Sequence, residues 1–199
     1  METVMPMENP VSSKNNLQVL FLALGIGIVL ILILANRLLD LKNNTSNGSV
    51  KAVSTIQGVG GITWSVPTID GGTYDFAEHK GKPTVLFLSS SWCKECRGEV
   101  AKLARVYNTY KNKGLEIVAL DIYPQEGPEP WRQFKDDGAG GETVNYVWAM
   151  DTNNQIARLL NVQYLDTKIF INSQGKEVAR TLGIRPYEEI EAHVKETLQ

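Results

Sequence analysis

Apolar and polar positions alternate in three different ways along this chain, and each pattern predicts a different kind of structure. From Leu17 to Ala35 the residues are apolar with the single exception of Gln18. At about 1.5 Å per residue such a helix spans roughly the 30 Å hydrocarbon layer of a bilayer. The pattern predicts a transmembrane anchor over 17–35 behind an N-terminal tail, 1–16. A cleaved secretory signal would have a shorter apolar region, about 7 to 15 residues, and a small-x-small site after it. Ala35-Asn36-Arg37 does not supply one. A buried soluble helix would keep a polar face.

Residues 36–61 lose all period and fill with Asn, Ser, Thr and Gly, the composition of a flexible tether. From 62 to 199 short apolar runs alternate with amphipathic stretches, which predicts an α/β layer domain. Asp70-Gly71-Gly72 signals a hairpin turn. Thr84 to Leu88 is a continuous apolar run, suited to a central strand covered on both faces. Val100, Leu103, Ala104, Tyr107 and Tyr110 recur at helical spacing and mark a helix ending near Lys113-Gly114. Further strands are predicted at Leu115–Leu120, Tyr146–Ala149, Lys168–Ile171 and Glu177–Arg180. Helices are predicted to open at Pro130, to span Asn154–Leu160 and to close the chain over Pro186–Leu198.

Composition narrows the chemistry. A formal net charge of -2 with no long basic run excludes an electrostatic footprint for nucleic acid. Two cysteines cannot make a multi-disulfide scaffold or a Cys-rich zinc site within one chain. Both fall in Trp92-Cys93-Lys94-Glu95-Cys96, between the apolar strand and the amphipathic helix. A helix N-terminus favours negative charge, so Cys93 is the candidate nucleophile and Cys96 its resolving partner. A purely structural disulfide is the weaker reading, because closing so short a loop constrains little chain entropy. No organic or metal cofactor is called for.

Gly81-Lys82-Pro83 before the strand, Trp92-Cys93-x-x-Cys96-Arg97-x-Glu99, and Ile169-Phe170-Ile171-Asn172-x-x-Gly175-Lys176 with Gly183 together resemble the membrane-anchored thioredoxin-like proteins of the TlpA and ResA type. The resemblance runs from about Ile62 to the C-terminus. It implies a mixed central sheet flanked by helices, with the cysteines at the end of the first core strand. It also implies a domain on the extracytoplasmic side, disulfide- or dithiol-containing protein substrates, a membrane dithiol electron donor and a possible part in cytochrome c maturation. The flanking basic residues point the other way: Lys14 precedes the apolar run, whereas Arg37, Lys42 and Lys51 follow it.

Two positions depart from the family. Glu95 stands where a proline commonly precedes the second cysteine. Asp166, in Leu165-Asp166-Thr167-Lys168, stands where the family places a cis-proline facing the sulfurs. A non-proline cis bond costs about 3 kcal/mol, so a trans peptide is expected there. The resemblance makes Trp92, Asp166 and Thr167 candidate substrate-binding residues. A carboxylate near the sulfurs would raise a thiol pKa as a like charge, and Asp166→Pro is expected to lower that of Cys93. Glu99, three residues after Cys96, either sits beside the active-site helix or faces water as most helical Glu residues do; His79 and His193 read as surface or helix-end residues, and Asp136-Asp137 and Glu188-Glu189 as solvated faces. The alternative from another class is a soft-metal-binding or metallochaperone module, with Asp166 or a second chain completing a site on the cysteines. A peroxidase of the peroxiredoxin kind lacks its lone reactive cysteine.

Overall fold

The computed structural model describes residues 59–199, apart from 124 and 126. The tail, the predicted anchor over 17–35 and nearly all of the tether lie outside the described residues, and no helix among the described residues is long and apolar enough to cross a membrane.

Strands β1 (Ser65–Pro67) and β2 (Thr73–Asp75) form the predicted hairpin. Its turn closes through the Thr68 N–H on the Gly72 carbonyl at 3.0 Å. Five further strands build the main sheet: β3 (Thr84–Ser89), β4 (Glu116–Asp121), β5 (Val147–Met150), β6 (Thr167–Ile171) and β7 (Glu177–Leu182). Their order is β5-β4-β3-β6-β7. β3, β4 and β5 run parallel, while β6 and β7 are antiparallel to their neighbours. The sheet is mixed, with β3 at its centre.

The helices are α1 (Arg97–Tyr110), α2 (Pro128–Gly138), α3 (Gln155–Leu159) and α4 (Tyr187–Thr197). The period of two along β3 sorts the core into two layers. Val85 and Phe87 pack with Val100 and Leu103 of α1, Trp131 of α2 and Ile190 of α4. Leu86 and Leu88 pack on the other face with Val59, Ile62, Tyr74, Phe76 and Ile156. The hairpin and α3 therefore cover one face, and the three longer helices the other.

Boundaries differ from the sequence reading in instructive ways. α2 begins two residues before Pro130 and runs on to Gly138. The reason is tertiary: Gly138 packs against α1, and a Cβ there would lie 2.7 Å from the Arg97 carbonyl oxygen. β7 extends to Leu182 because Thr167 supplies it with a partner. α1 ends at Tyr110 and passes into a 3-10 turn, Lys111–Lys113, which stops at Gly114 in the left-handed region at φ 89°.

Candidate active site

β3 ends at Ser89, and the chain then turns through Ser90, Ser91 and Trp92 to the cysteines. The Cys93 N–H donates to the Ser90 carbonyl at 3.0 Å, and the Cys96 N–H to the Cys93 carbonyl at 3.1 Å. Cys93 thereby caps a 3-10 turn, Lys94–Cys96, and Cys96 caps α1. The candidate nucleophile sits one turn before the α-helix, at the N-terminus of the 3-10 turn that leads into it. The two cysteines are joined in a disulfide, with Cα atoms 5.4 Å apart. Cys96 is 3% exposed and belongs to the core, whereas Cys93 is only half-buried against it. A partner sulfur can approach Cys93 and not Cys96.

Trp92 is 57% exposed. Its ring meets Tyr123, just beyond β4, edge to face at 6.0 Å. It flanks the disulfide and does not pack in the core.

The register of the sheet brings the remaining candidates to the same end. Leu88 of β3 faces Thr167 of β6, which faces Leu182 of β7. Asp166 therefore precedes β6 at the cysteine end of the sheet. Its φ is 57°, and no peptide bond among the described residues is cis. Its side chain is turned inward, as is that of Thr167, whose hydroxyl donates to the Tyr164 carbonyl at 2.7 Å. What either residue can offer a partner is backbone.

Asp166 Oδ1 is held by Lys168 Nζ, which is itself fully buried. Lys168 Nζ also donates to the Gly183 carbonyl at 3.0 Å and lies 2.7 Å from Glu99 Oε2, at ion-pair distance without hydrogen-bond alignment. Glu99 is fully buried, and its Oε1 accepts from Lys102 Nζ at 2.6 Å. Burial pushes the Asp166 carboxyl up to about 6, against the pull of Lys168. Burial, with the Glu99 charge nearby, also raises the Tyr146 hydroxyl well above its ordinary value.

Sequence reasoning left Glu99 between the active-site helix and water and passed over Lys168. Two signals were present. Glu99 follows Cys96 by three residues and so shares its inward face on α1. Lys168 interrupts an otherwise apolar strand that is central in the sheet, where a lysine is retained only with partners. His79 and His193 lie away from the cysteines: His79 Nδ1 is 2.6 Å from Glu116 Oε2, and His193 Nδ1 is 3.1 Å from Glu196 Oε2. Asp137 pairs with Arg97 at 3.1 Å and Glu189 with Arg185 at 3.6 Å, both at partly exposed positions. No group of three or more His, Cys, Asp or Glu side chains among the described residues could hold a metal ion.

A mixed sheet with helices on both faces, and a Cys-x-x-Cys disulfide where its central strand meets a helix, define a thioredoxin-like thiol–disulfide oxidoreductase. The chain belongs to the AhpC/TSA family, whose model matches residues 61–181, and within it the similarity is to proteins of the TlpA and ResA type. It is 28% identical over 130 residues to the thiol-disulfide oxidoreductase ResA of Bacillus thuringiensis (strain Al Hakam), covering 65% of this chain and 72% of that relative. With ResA of Bacillus subtilis (strain 168) the identity is 29% over 114 residues, 57% of this chain and 60% of the other. A thiol:disulfide interchange protein of the thioredoxin family from Chlorobium tepidum TLS superposes with a TM-score of 0.58 at 20% identity, covering 72% of this chain and 97% of that one. A secreted Mycobacterium tuberculosis disulfide oxidoreductase gives a TM-score of 0.59 at 19% identity, covering 68% and 96%. At these identities the two structures establish the fold.

Proposed function

We propose that this oxidoreductase is anchored in a membrane through 17–35, carries its thioredoxin-like domain on the extracytoplasmic side and reduces disulfides of exported proteins, cytochrome c precursors among them. The observation that carries the direction of attack is the unequal burial of the two sulfurs: Cys93 is half-buried and Cys96 is 3% exposed. In the reduced enzyme the Cys93 thiolate attacks a partner disulfide. The partner's S–S bond breaks, its leaving sulfur takes a proton, and a Cys93–partner disulfide forms. Cys96 then loses its proton and attacks the Cys93 sulfur. The partner's second sulfur leaves, and two electrons have passed to the partner. A membrane dithiol restores the pair, closing to a disulfide itself.

The surface supports docking of a polypeptide. Trp92, Tyr123, Tyr164, Leu182 and Ile184 are large apolar side chains exposed at 42% or more. By the strand register all five lie in segments at the cysteine end of the sheet. Anchoring rests on the apolar run itself, and the extracytoplasmic side on what an anchor and tether accomplish: they keep an exported enzyme beside a membrane source of electrons.

Reduction of insulin by the full chain in detergent, with a dithiol donor, tests the activity. Cys96→Ser is expected to stop turnover and to accumulate a partner mixed disulfide on Cys93, while Cys93→Ser yields none. A reduction potential near the -270 mV typical of thioredoxin supports a reductant, and one near about -120 mV an oxidant. Protease protection of the domain in sealed vesicles tests its side of the membrane.

A further inference from the structure

One buried ammonium joins three backbone segments at the cysteine end of the sheet. Lys168 Nζ on β6 contacts Asp166 on the approach to its own strand, Glu99 in the first turn of α1, and the Gly183 carbonyl after β7. Glu99 Oε1 also lies 3.3 Å from the Arg185 backbone N–H. Cys96 and Glu99, three residues apart, are both buried on the inward face of α1. Leu165, next to Asp166, packs on the core cluster that contains Cys96 and against which Cys93 also packs. Asp166 is the member with a spare atom: Oδ2 is buried and has no hydrogen-bond partner. A buried non-glycine residue at φ 57° persists where its surroundings hold it there, and here they do so through Lys168 and through the Gly183 N–H on the Asp166 carbonyl at 2.9 Å.

We propose that Asp166, acting through Lys168 and Glu99, is a positioning residue that couples proton uptake to reduction of the Cys93–Cys96 disulfide. The inference rests on the pair being redox-active, and neither on membrane anchoring nor on the direction of electron flow. On reduction the S–S bond accepts two electrons from a donor dithiol, which closes to a disulfide. Cys93 is released as a thiolate and Cys96 as a thiol carrying a proton from the donor. The new negative charge appears at the same end of the sheet as a cluster in which two carboxylates already share one fully buried ammonium. Asp166 then takes a proton from solvent, and thiolate and carboxylate titrate as a coupled pair. Oxidation returns the proton.

The charged groups facing Asp166 are Lys168 from β6 and Glu99 and Lys102 from α1. Tyr146, before β5, faces Glu99 and is kept protonated by burial. Arg185 meets the cluster through its backbone, its N–H on Glu99 and its carbonyl accepting from Lys102 Nζ at 2.6 Å, while its guanidinium lies toward Glu189. In the oxidised form the carboxyl stands at about 6, so a further rise on reduction falls near neutral pH.

The test is the equilibrium of the full chain in detergent with glutathione, followed from about pH 5 to about pH 8, for the natural sequence and for Asp166→Asn. Asn has the same shape, tolerates left-handed backbone and keeps an oxygen for Lys168. One extra proton per disulfide adds up to a tenfold change in the equilibrium constant per pH unit, about 30 mV for this two-electron couple. The natural chain is expected to show that extra dependence above pH 6 and Asp166→Asn to lose it, with the alkylation profile of Cys93 moved to lower pH. Superposable curves for the two folded proteins overturn the proposal, as does a variant changed in thermal stability alone. Should the variant fail to fold, the oxidised-minus-reduced infrared spectrum of the natural chain decides, because reduction must create a protonated carboxyl band. A natural chain whose disulfide no small dithiol reduces, and which passes no electrons to oxidised glutathione, overturns both this proposal and the redox reading. A redox-active pair with no extra pH dependence overturns this proposal alone.

Discussion

Two carboxylates hold ionic clusters at opposite ends of the central sheet, and water separates their fates. Glu116 opens β4 at the end away from the cysteines. It accepts from the Tyr74 hydroxyl at 2.8 Å and lies 2.6 Å from both His79 Nδ1 and Lys82 Nζ. The side chains of His79, Glu116 and Lys82 are 23%, 19% and 47% exposed. At the cysteine end, Glu99 and Lys168 are at 0%. Solvent screens the first cluster, whose effect is to fasten the β1–β2 hairpin to the sheet. The second is closed off, so removing one charge strands another in a medium that cannot solvate it.

Breaking the buried cluster therefore has the largest effect. Lys168→Met should lower stability by about 3–5 kcal/mol, because it leaves Glu99 and Asp166 buried without their shared cation. Urea unfolding of the natural and variant chains measures this. A loss below about 1 kcal/mol, the worth of an exposed pair, would erase the distinction between the two ends.

The next effect is a pH dependence, and its sign follows from Asp166. Its folded carboxyl stands at about 6 against an ordinary 3.8. Between those values the native state binds the proton and the unfolded state does not, so stability falls as pH rises. The gain present below about pH 4 is lost as pH passes 6, and it amounts to roughly 3 kcal/mol at most. Asp166→Asn should flatten that slope in unfolding curves taken across this range. A slope unchanged in the variant would assign the dependence to another group.

The cysteine chemistry and most of the fold were legible because they depend on local signals. An apolar run, a turn and a helical stripe around one Cys-x-x-Cys place β3 to within a residue and α1 to within a turn at each end. The buried cluster was not legible in the same way, because Glu99, Asp166 and Lys168 come from two elements and a loop that meet only through the β3–β6 register. Asp166 shows the limit most plainly. The sequence showed a missing proline and an expected trans bond, but the left-handed backbone at φ 57° comes from the Lys168 and Gly183 contacts. Proline fixes φ near -65°, so Asp166→Pro would disturb shape and charge together. The Asn variant separates them.

At the exposed end the effects shrink. Glu116→Gln should cost no more than about 1 kcal/mol globally, since water can solvate Lys82 and His79 once the carboxylate is gone. Its signature should be local, with faster amide exchange at Tyr74 and Phe76 while β3 and β4 stay protected. Equal acceleration in β3 would mean that the rim cluster supports the core as the buried one does.

Trp92 gives the smallest change in stability and the clearest separation of stability from function. With 57% of its surface already exposed and one edge contact to Tyr123, Trp92→Ala should alter unfolding by no more than about 0.5 kcal/mol. An aromatic anchor at an interface matters for the partner instead. The variant should raise KM for a protein disulfide several-fold while leaving the reaction with a small disulfide such as oxidised glutathione nearly unchanged, the pattern of lost binding without lost chemistry. If both substrates slow equally, Trp92 acts on the sulfur itself. The exposed apolar rim would then be separate from docking, and the contrast between a stabilising interior and a recognising surface at this end of the sheet would have to be redrawn.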